Sequence, residues 1–181
     1  MKSPKTIFLF LALVCAGNSY GQTKEETEQW LNEKFKKIVG VKFSNSEGDG
    51  FCTLSFSLKD GLLNSSTKLI YARGAWGDDT YIYIFPNIPF NRLNEVVKED
   101  YGKNAKINLY FQEYINYGIK STHYDNFMEN KGEITESNLE DASIVYLCIP
   151  DIEENLAERI KKALEHYATF FPKPEKKKET F

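Results

Sequence analysis

Ile152-Glu153-Glu154-Asn155-Leu156-Ala157-Glu158-Arg159-Ile160-Lys161-Lys162-Ala163-Leu164-Glu165-His166-Tyr167-Ala168-Thr169-Phe170-Phe171 is the stretch that decides the fold. Leu156, Ile160, Ala163, Leu164, Tyr167 and Phe171 recur at steps of three and four, which places them on one stripe of a 3.6-residue helix. Glu154, Glu158, Lys161, Lys162, Glu165 and Thr169 take the other side. The spacing predicts a helix over 152–171, capped by Asp151 with Glu154 completing a capping box. Pro172 and Pro174 end it, because proline lacks the next donor and disfavours helix in the residue before it. Such a stripe needs an apolar surface to lie on. The strand-like segments between residues 41 and 150 supply one.

Thr23 to Val39 reads as a first helix, with Thr23 and Glu26 as a capping box and Gly40 as a left-handed stop. Trp30, Leu31, Phe35 and Ile38 line its apolar face. From Val41 the period becomes two. In Phe51 to Leu58, Cys52, Leu54, Phe56 and Leu58 alternate with Thr53, Ser55 and Ser57, the pattern of a strand with one wet face. Lys59-Asp60-Gly61 is a turn. Thr67 to Arg73 and Thr80 to Phe85 are further strands, the second broken by Pro86 and Pro89. Phe90 to Val97 fits a strand or a single helical turn. Lys106 to Gln112 is a strand with Tyr117 to Tyr124 as its weaker hairpin partner, and the polar Phe127 to Asp141 reads as loop. Ser143 to Ile149 is a near-continuous apolar run and reads as a strand buried on both faces.

These pieces predict one α+β domain over residues 22–172. An antiparallel, strongly bent sheet or half-open barrel of about seven strands lies between an N-terminal helix and a closing C-terminal helix. Residues Val41 to Phe171, with the Phe85-to-Val97 stretch around Ile88-Pro89-Phe90 and the helix after Ile149-Pro150, resemble the layout of pleckstrin-homology-like domains. The resemblance implies seven antiparallel strands in two bent sheets with a helix plugging the barrel. Phosphoinositide-binding members carry a basic loop between their first two strands. Here Ser44 to Gly50 carries Glu47 and Asp49 and no base, which speaks against that ligand.

Residues 1–21 read as an export signal. Lys2 and Lys5 precede the apolar run Ile7 to Val14, and Ser19-Tyr20-Gly21 has the small-x-small form of a cleavage site. Cleavage near Gly21 starts the mature chain at Gln22 and sends it to the periplasm or outside the cell. A lipid anchor at Cys15 is the lesser expectation, since Leu13 and Val14 are not the small residues that route prefers. No later stretch is long and apolar enough for a transmembrane span. Residues 1–21 hold two lysines and no acid, so the remainder carries 21 bases against 26 acids, a net charge of −5. That balance argues against nucleic acid as a partner. Residues 173–181 form a charged tail in which lysines alternate with Glu175 and Glu179. Cys52 and Cys148 remain after cleavage, and an oxidising compartment leaves two states open, a disulfide or two buried free thiols.

The search for chemistry finds no nucleophile motif, no phosphate loop and no metal-ligand spacing, so no catalytic residue, metal or cofactor is expected. His123 and His166 lack an identifiable partner. Glu47, Asp49, Asp78 and Asp79 are turn carboxylates without the spacing of a calcium loop. The distinctive feature is aromatic content, 14% with eleven tyrosines. Tyr81, Tyr83 and Phe85 share one strand face, and an exposed row of that kind can stack on a sugar or grip a peptide. The sequence therefore points to an exported, non-catalytic binding module for a protein, peptide or carbohydrate, with Tyr81 and Tyr83 in its ligand surface. The alternative is a secreted hydrolase using turn carboxylates.

Overall fold

The computed structural model describes residues 22–72, 78–124 and 131–174. Residues 1–21, read above as an export signal, with Cys15 among them, and residues 175–181 of the tail lie outside the described residues.

The chain opens with α1, Lys24–Ile38. Its capping box forms as expected: Thr23 Oγ1 accepts from Glu26 N at 3.1 Å, and Glu26 Oε2 accepts from Thr23 N at 2.8 Å. Gly40, at φ +83°, turns the chain out of the helix. Seven antiparallel strands follow: β1 Phe43–Ser44, β2 Gly50–Lys59, β3 Leu62–Ala72, β4 Asp78–Pro89, β5 Leu93–Tyr101, β6 Asn104–Tyr124 and β7 Lys131–Ile149. The helix α2, Leu156–Ala168, closes the fold.

The strands make antiparallel sheets of five and three strands, β1-β2-β3-β4-β6 and β5-β6-β7. They share β6. Its far half, Gly118 to Tyr124, pairs with β4, and its near half, Asn104 to Phe111, pairs with β5. β7 follows β6 through both halves, with register shifts between Tyr110 and Ile115 and again beyond Tyr117. A strand that changes partners midway must bend, and bulges are the usual means.

The sheets do not close into a barrel. Across the gap the contact is made by side chains. Thr53 Oγ1 on β2 accepts Cys148 N–H at 2.8 Å and donates to Cys148 O at 3.0 Å. Thr67 Oγ1 on β3 donates to Tyr146 O at 2.5 Å. The edge of β7 therefore stands against the inner face of β2 and β3, with threonine hydroxyls where a barrel would have strand pairing. Both threonines are fully buried, which is tolerable because their hydroxyls are bonded. The expected antiparallel strands and closing helix are present, and the barrel closure of pleckstrin-homology-like domains is not.

β7 separates two apolar clusters. Leu58, Leu63, Phe85, Ile88, Val96, Ile107, Leu109, Val145 and Leu147 form the main core beneath α1 and α2. Phe43, Phe51, Leu69 and Cys148 form a smaller one. From α2, Leu156, Ile160, Leu164 and Tyr167 enter the main core. Tyr167 also ties three elements together. Its hydroxyl donates to Glu28 Oε2 on α1 and accepts from Gly61 N at 3.0 Å, while Asp60 N donates to the same Glu28 oxygen at 2.9 Å. The β2–β3 turn allows this because Asp60 and Gly61 both adopt positive φ, the two-residue hairpin geometry. A Cβ at Gly61 would meet the Phe171 ring at 2.5 Å.

Several expectations change. α2 begins at Leu156 rather than Ile152, and the Asp151–Glu154 box does not form. Glu153 is held instead by Lys34 at 2.6 Å, Lys37 at 3.4 Å and Arg159 at 3.4 Å, and Asn155 takes a left-handed conformation that asparagine tolerates. In β2 a bulge between Thr53 and Ser55 shifts the alternation, so Phe51 and Thr53 share the inner face with Phe56 and Leu58, where Leu54 was expected. Pro86 does not end β4. It sits with Asn87, at φ +53°, in a register shift between Leu63 and Ser65, where no ladder donor is required. Phe90–Arg92 is a single 3-10 turn and β5 follows it directly. The segments Lys106–Gln112 and Tyr117–Tyr124 are one strand, and Lys131–Asp141, read as loop, is the first half of β7. In the second half Val145, Leu147, Cys148 and Ile149 are buried, while Tyr146 is only half-buried and Ser143 is exposed.

Cys52 and Cys148 are buried free thiols on strands that do approach one another. Burial pushes the Cys148 thiol up to about 12, with Cys52 beside it adding to the rise, and burial raises Cys52 as well. Thiolate is the reactive form, so neither group should react readily in the native fold. Thiol titration of the chain lacking residues 1–21 should find both thiols only after unreduced unfolding. Two fast-reacting thiols in the native protein, or none after unfolding, would contradict this arrangement.

Candidate functional site

On one side of β7 the inner face of the larger sheet is covered by the helices. On the other it carries a row of aromatic rings. Tyr71 on β3, and Tyr81, Tyr83 and Phe85 on β4, share that face because strand alternation and the β3–β4 register place them there. Tyr71 meets Tyr81 edge-on at 5.7 Å between centroids. Tyr81 to Tyr83 and Tyr83 to Phe85 are both 6.3 Å. Exposure rises along the row: Phe85 is buried, Tyr83 and Tyr81 are half-buried, and Tyr71 is 40% exposed.

The facing wall comes from the smaller sheet. Glu99 on β5, Lys106 on β6 and Cys148 on β7 lie in one register line, and Val97, Asn108 and Tyr146 in the next. Tyr146 touches the row directly, 5.6 Å from Tyr83 and edge-on. Lys106 Nζ lies 5.6 Å from the Tyr146 ring centre and 5.7 Å from that of Tyr101, and it pairs with Glu99 at 2.8 Å. Glu99 also accepts from Asn108 Nδ2 at 2.5 Å and from the Tyr101 hydroxyl at 3.2 Å. Asn108 is 3% exposed, and its Oδ1 has no partner among the described residues.

The electrostatics follow from these contacts. Burial works to raise the Glu99 carboxyl, but Lys106, Asn108 and Tyr101 outweigh it and hold the carboxyl below its usual range. Burial works to lower Lys106, and the Glu99 carboxylate outweighs it and raises the ammonium. The pair is therefore ionised and mutually neutralised near pH 7. Burial raises the Tyr71 and Tyr146 phenols, with Lys106 pulling each the other way, so the charge on β6 is felt across the gap on β3. The result is a tyrosine-rich face beside a mutually neutralised Lys106–Glu99 pair, with the buried Asp79 opposite Tyr71 on the same face.

Of the residues expected in a site, Tyr81 and Tyr83 belong to this surface. Tyr83 also packs on both apolar clusters and is partly structural. Tyr71, Tyr101, Tyr146, Lys106, Glu99 and Asn108 escaped the sequence reading. Tyr71 was detectable, since it continues the alternation of Thr67 and Leu69. The others come from three strands that only the tertiary fold brings together. Glu47, Asp49, Asp78 and Asp79 gather no metal site: among the described residues no group of three or more His, Cys, Asp or Glu side chains converges. Asp49 is spent on Ala72 N and Asn45 Nδ2, both at 3.0 Å. His166 Nε2 lies 3.1 Å from Gln22 O, and the His123 side chain is outside the described residues.

A concavity of about 430 Å³ runs between the start of β5 and the end of α2. Leu93, Val96, Ala168 and Phe171 line it, with Glu95 and Glu165 among its polar residues. No helix among the described residues is long and apolar enough to cross a membrane. The chain matches no protein family, no curated protein and no solved structure in the comparisons made. The site is therefore read from its own chemistry.

Proposed function

We propose that this protein is an exported, non-catalytic binding module whose ligand surface is the tyrosine cleft between the two sheets. One observation carries the reading: the ring row from Phe85 to Tyr71 grades from core to solvent opposite Tyr146 and a self-neutralised Lys106–Glu99 pair. Tyrosine suits that role, because a rigid ring offers a large contact area at low entropic cost and ends in a hydroxyl. The hydrolase alternative gains nothing here. Glycoside hydrolysis needs two carboxyl groups across the scissile bond, and of the turn carboxylates Asp49 is bonded to Ala72 N and Asn45 Nδ2.

Tyr81→Ala is the informative variant, because Tyr83→Ala would also open the core. Immobilised wild-type and Tyr81→Ala proteins, offered the same cell-envelope extract, should differ in what they retain, while their melting temperatures stay within about 4 °C, a cost near 1 kcal/mol. Identical retention by the two would remove the cleft from consideration. Export is checked separately. Mass spectrometry of the protein recovered outside the cytoplasm should give Gln22 as the first residue, and an intact Met1 or an acylated Cys15 would refute that processing.

A further inference from the structure

We infer that Gln22 is a modification site: once the chain before it is removed, its α-amine closes on its own side-chain amide, and the mature protein begins with a pyroglutamyl lactam. This rests on the cleavage after Gly21 that the export reading requires. Three features lead from that cleavage to the lactam.

The first is the residue type and its freedom. Glutamine holds its amide carbon Cδ where the α-amine of the same residue reaches it through a five-membered ring. Gln22 is exposed, and its side chain holds no hydrogen bond to the described residues. An α-amine ordinarily titrates at about 7.7–8.0, so part of it is the uncharged nucleophile at neutral pH. The amine nitrogen bonds to Cδ, the bond from Cδ to the amide nitrogen breaks, and ammonia leaves with the proton that the amine gives up. No oxidant or second substrate is consumed.

The second is charge. Gln22 directly precedes Thr23, the N-cap of α1, so a terminal ammonium would stand at the positive end of that helix. In the first turn, Glu26 is used on Thr23 N–H at 2.8 Å, and Glu25 lies 3.7 Å from Lys24. The lactam is neutral and removes the charge from this position.

The third is the fit of the product. The half of Gln22 that the fold uses is the half that cyclisation leaves alone. His166 Nε2 lies 3.1 Å from Gln22 O, and the following N–H is the one Thr23 gives to Glu26. The lactam keeps both groups. His166 stands in the last turn of α2 and meets the Phe170 ring edge-on at 4.9 Å, so the Gln22 carbonyl ties the start of α1 to the end of α2. An exopeptidase that removed Gln22 would take away that carbonyl and turn Thr23 N into a terminal amine. A lactam offers such an enzyme no free amine to hold. The modification therefore preserves the tie between the helices outside the cytoplasm.

The test is peptide mass spectrometry and Edman degradation of the protein recovered outside the cytoplasm, beside its Gln22→Asn variant. The dominant N-terminal peptide of the native protein should begin at Gln22 and be lighter than its sequence by one ammonia. Edman degradation should stall on it. In Gln22→Asn the side chain is one carbon too short for the five-membered ring, so that variant should show its full mass and be read from residue 22 onward. A native peptide that begins with Gln22 at full mass would overturn the lactam and leave the export reading standing. A variant as light and as blocked as the native protein would show that another reaction closes the terminus, and would overturn the assignment to the glutamine side chain. A first residue other than Gln22 would overturn the cleavage at Gly21 and this inference with it.

Discussion

Thr53→Val should destabilise the protein by about 3 kcal/mol and lower its melting temperature by about 6–12 °C. Valine keeps the shape of threonine and removes its hydroxyl. In the native fold that hydroxyl accepts Cys148 N–H at 2.8 Å and donates to Cys148 O at 3.0 Å, with both residues fully inside. Its loss leaves two buried backbone groups without partners, and each such group costs about 1–3 kcal/mol. The expected damage is local. Hydrogen exchange should quicken first along Tyr146 to Ile149, because that strand edge loses its cover while its pairing with β6 remains. Ser55→Ala is the control. Ser55 lies on the outer face, its hydroxyl 2.7 Å from that of Ser66, and its replacement should change stability by less than about 0.5 kcal/mol. Equal melting curves for Thr53→Val and wild type would mean that threonine hydroxyls do not hold β7 in place.

Leu164→Ala should cost about 2–5 kcal/mol. Leu164 is 0% exposed at the centre of α2, inside the main core. Truncation removes buried methyl groups and leaves a cavity that a close-packed neighbourhood fills only in part. The spread in the estimate reflects how far α2 can settle. It is pinned at one end by Tyr167 to Glu28 and Gly61, which limits that settling and favours the upper half of the range. Ile152→Ala provides the contrast. Ile152 lies before α2 and is 40% exposed, so its truncation should fall within about 0.5 kcal/mol of wild type. Chemical denaturation of both variants decides the matter. A large loss at Ile152 together with none at Leu164 would place the helix in the wrong register.

The two helices, the antiparallel character of the sheet and most turn positions were legible in the sequence. Their causes are local. The stripe from Leu156 to Tyr167, the Thr23–Glu26 box, the Asp60-Gly61 turn and the Phe51-to-Leu58 run each act within a few residues, where period and capping chemistry can be read directly. Tyr81 and Tyr83 could be placed on one strand face for the same reason.

Where reading failed, the cause was a partner distant in the chain. Glu153 looks like part of a helix until Lys34, more than a hundred residues earlier, draws it aside. Lys131 to Asp141 is polar and without period, yet it forms a strand because β6 offers it a ladder, and strand formation depends more on the neighbour than on the residue. Pro86 looks like a strand breaker until a register shift in β4 gives it a place. The bulge after Thr53 turns a nominally wet residue into the buried clasp of β7, which no alternation pattern announces.

The same division holds for the candidate site. The sequence by itself determined the two helices and the capped start of the first, the strand period of most runs and the presence of a tyrosine row. Only the tertiary structure decided that the row faces Tyr146, that Lys106 and Glu99 cancel one another beside it, and that threonine hydroxyls replace barrel closure. The physical reason is range. Helical and strand periodicity arises from backbone geometry over a few residues, whereas a cleft arises where β3, β4, β5, β6 and β7 meet, and their meeting is fixed by burial and hydrogen bonding summed over the whole chain.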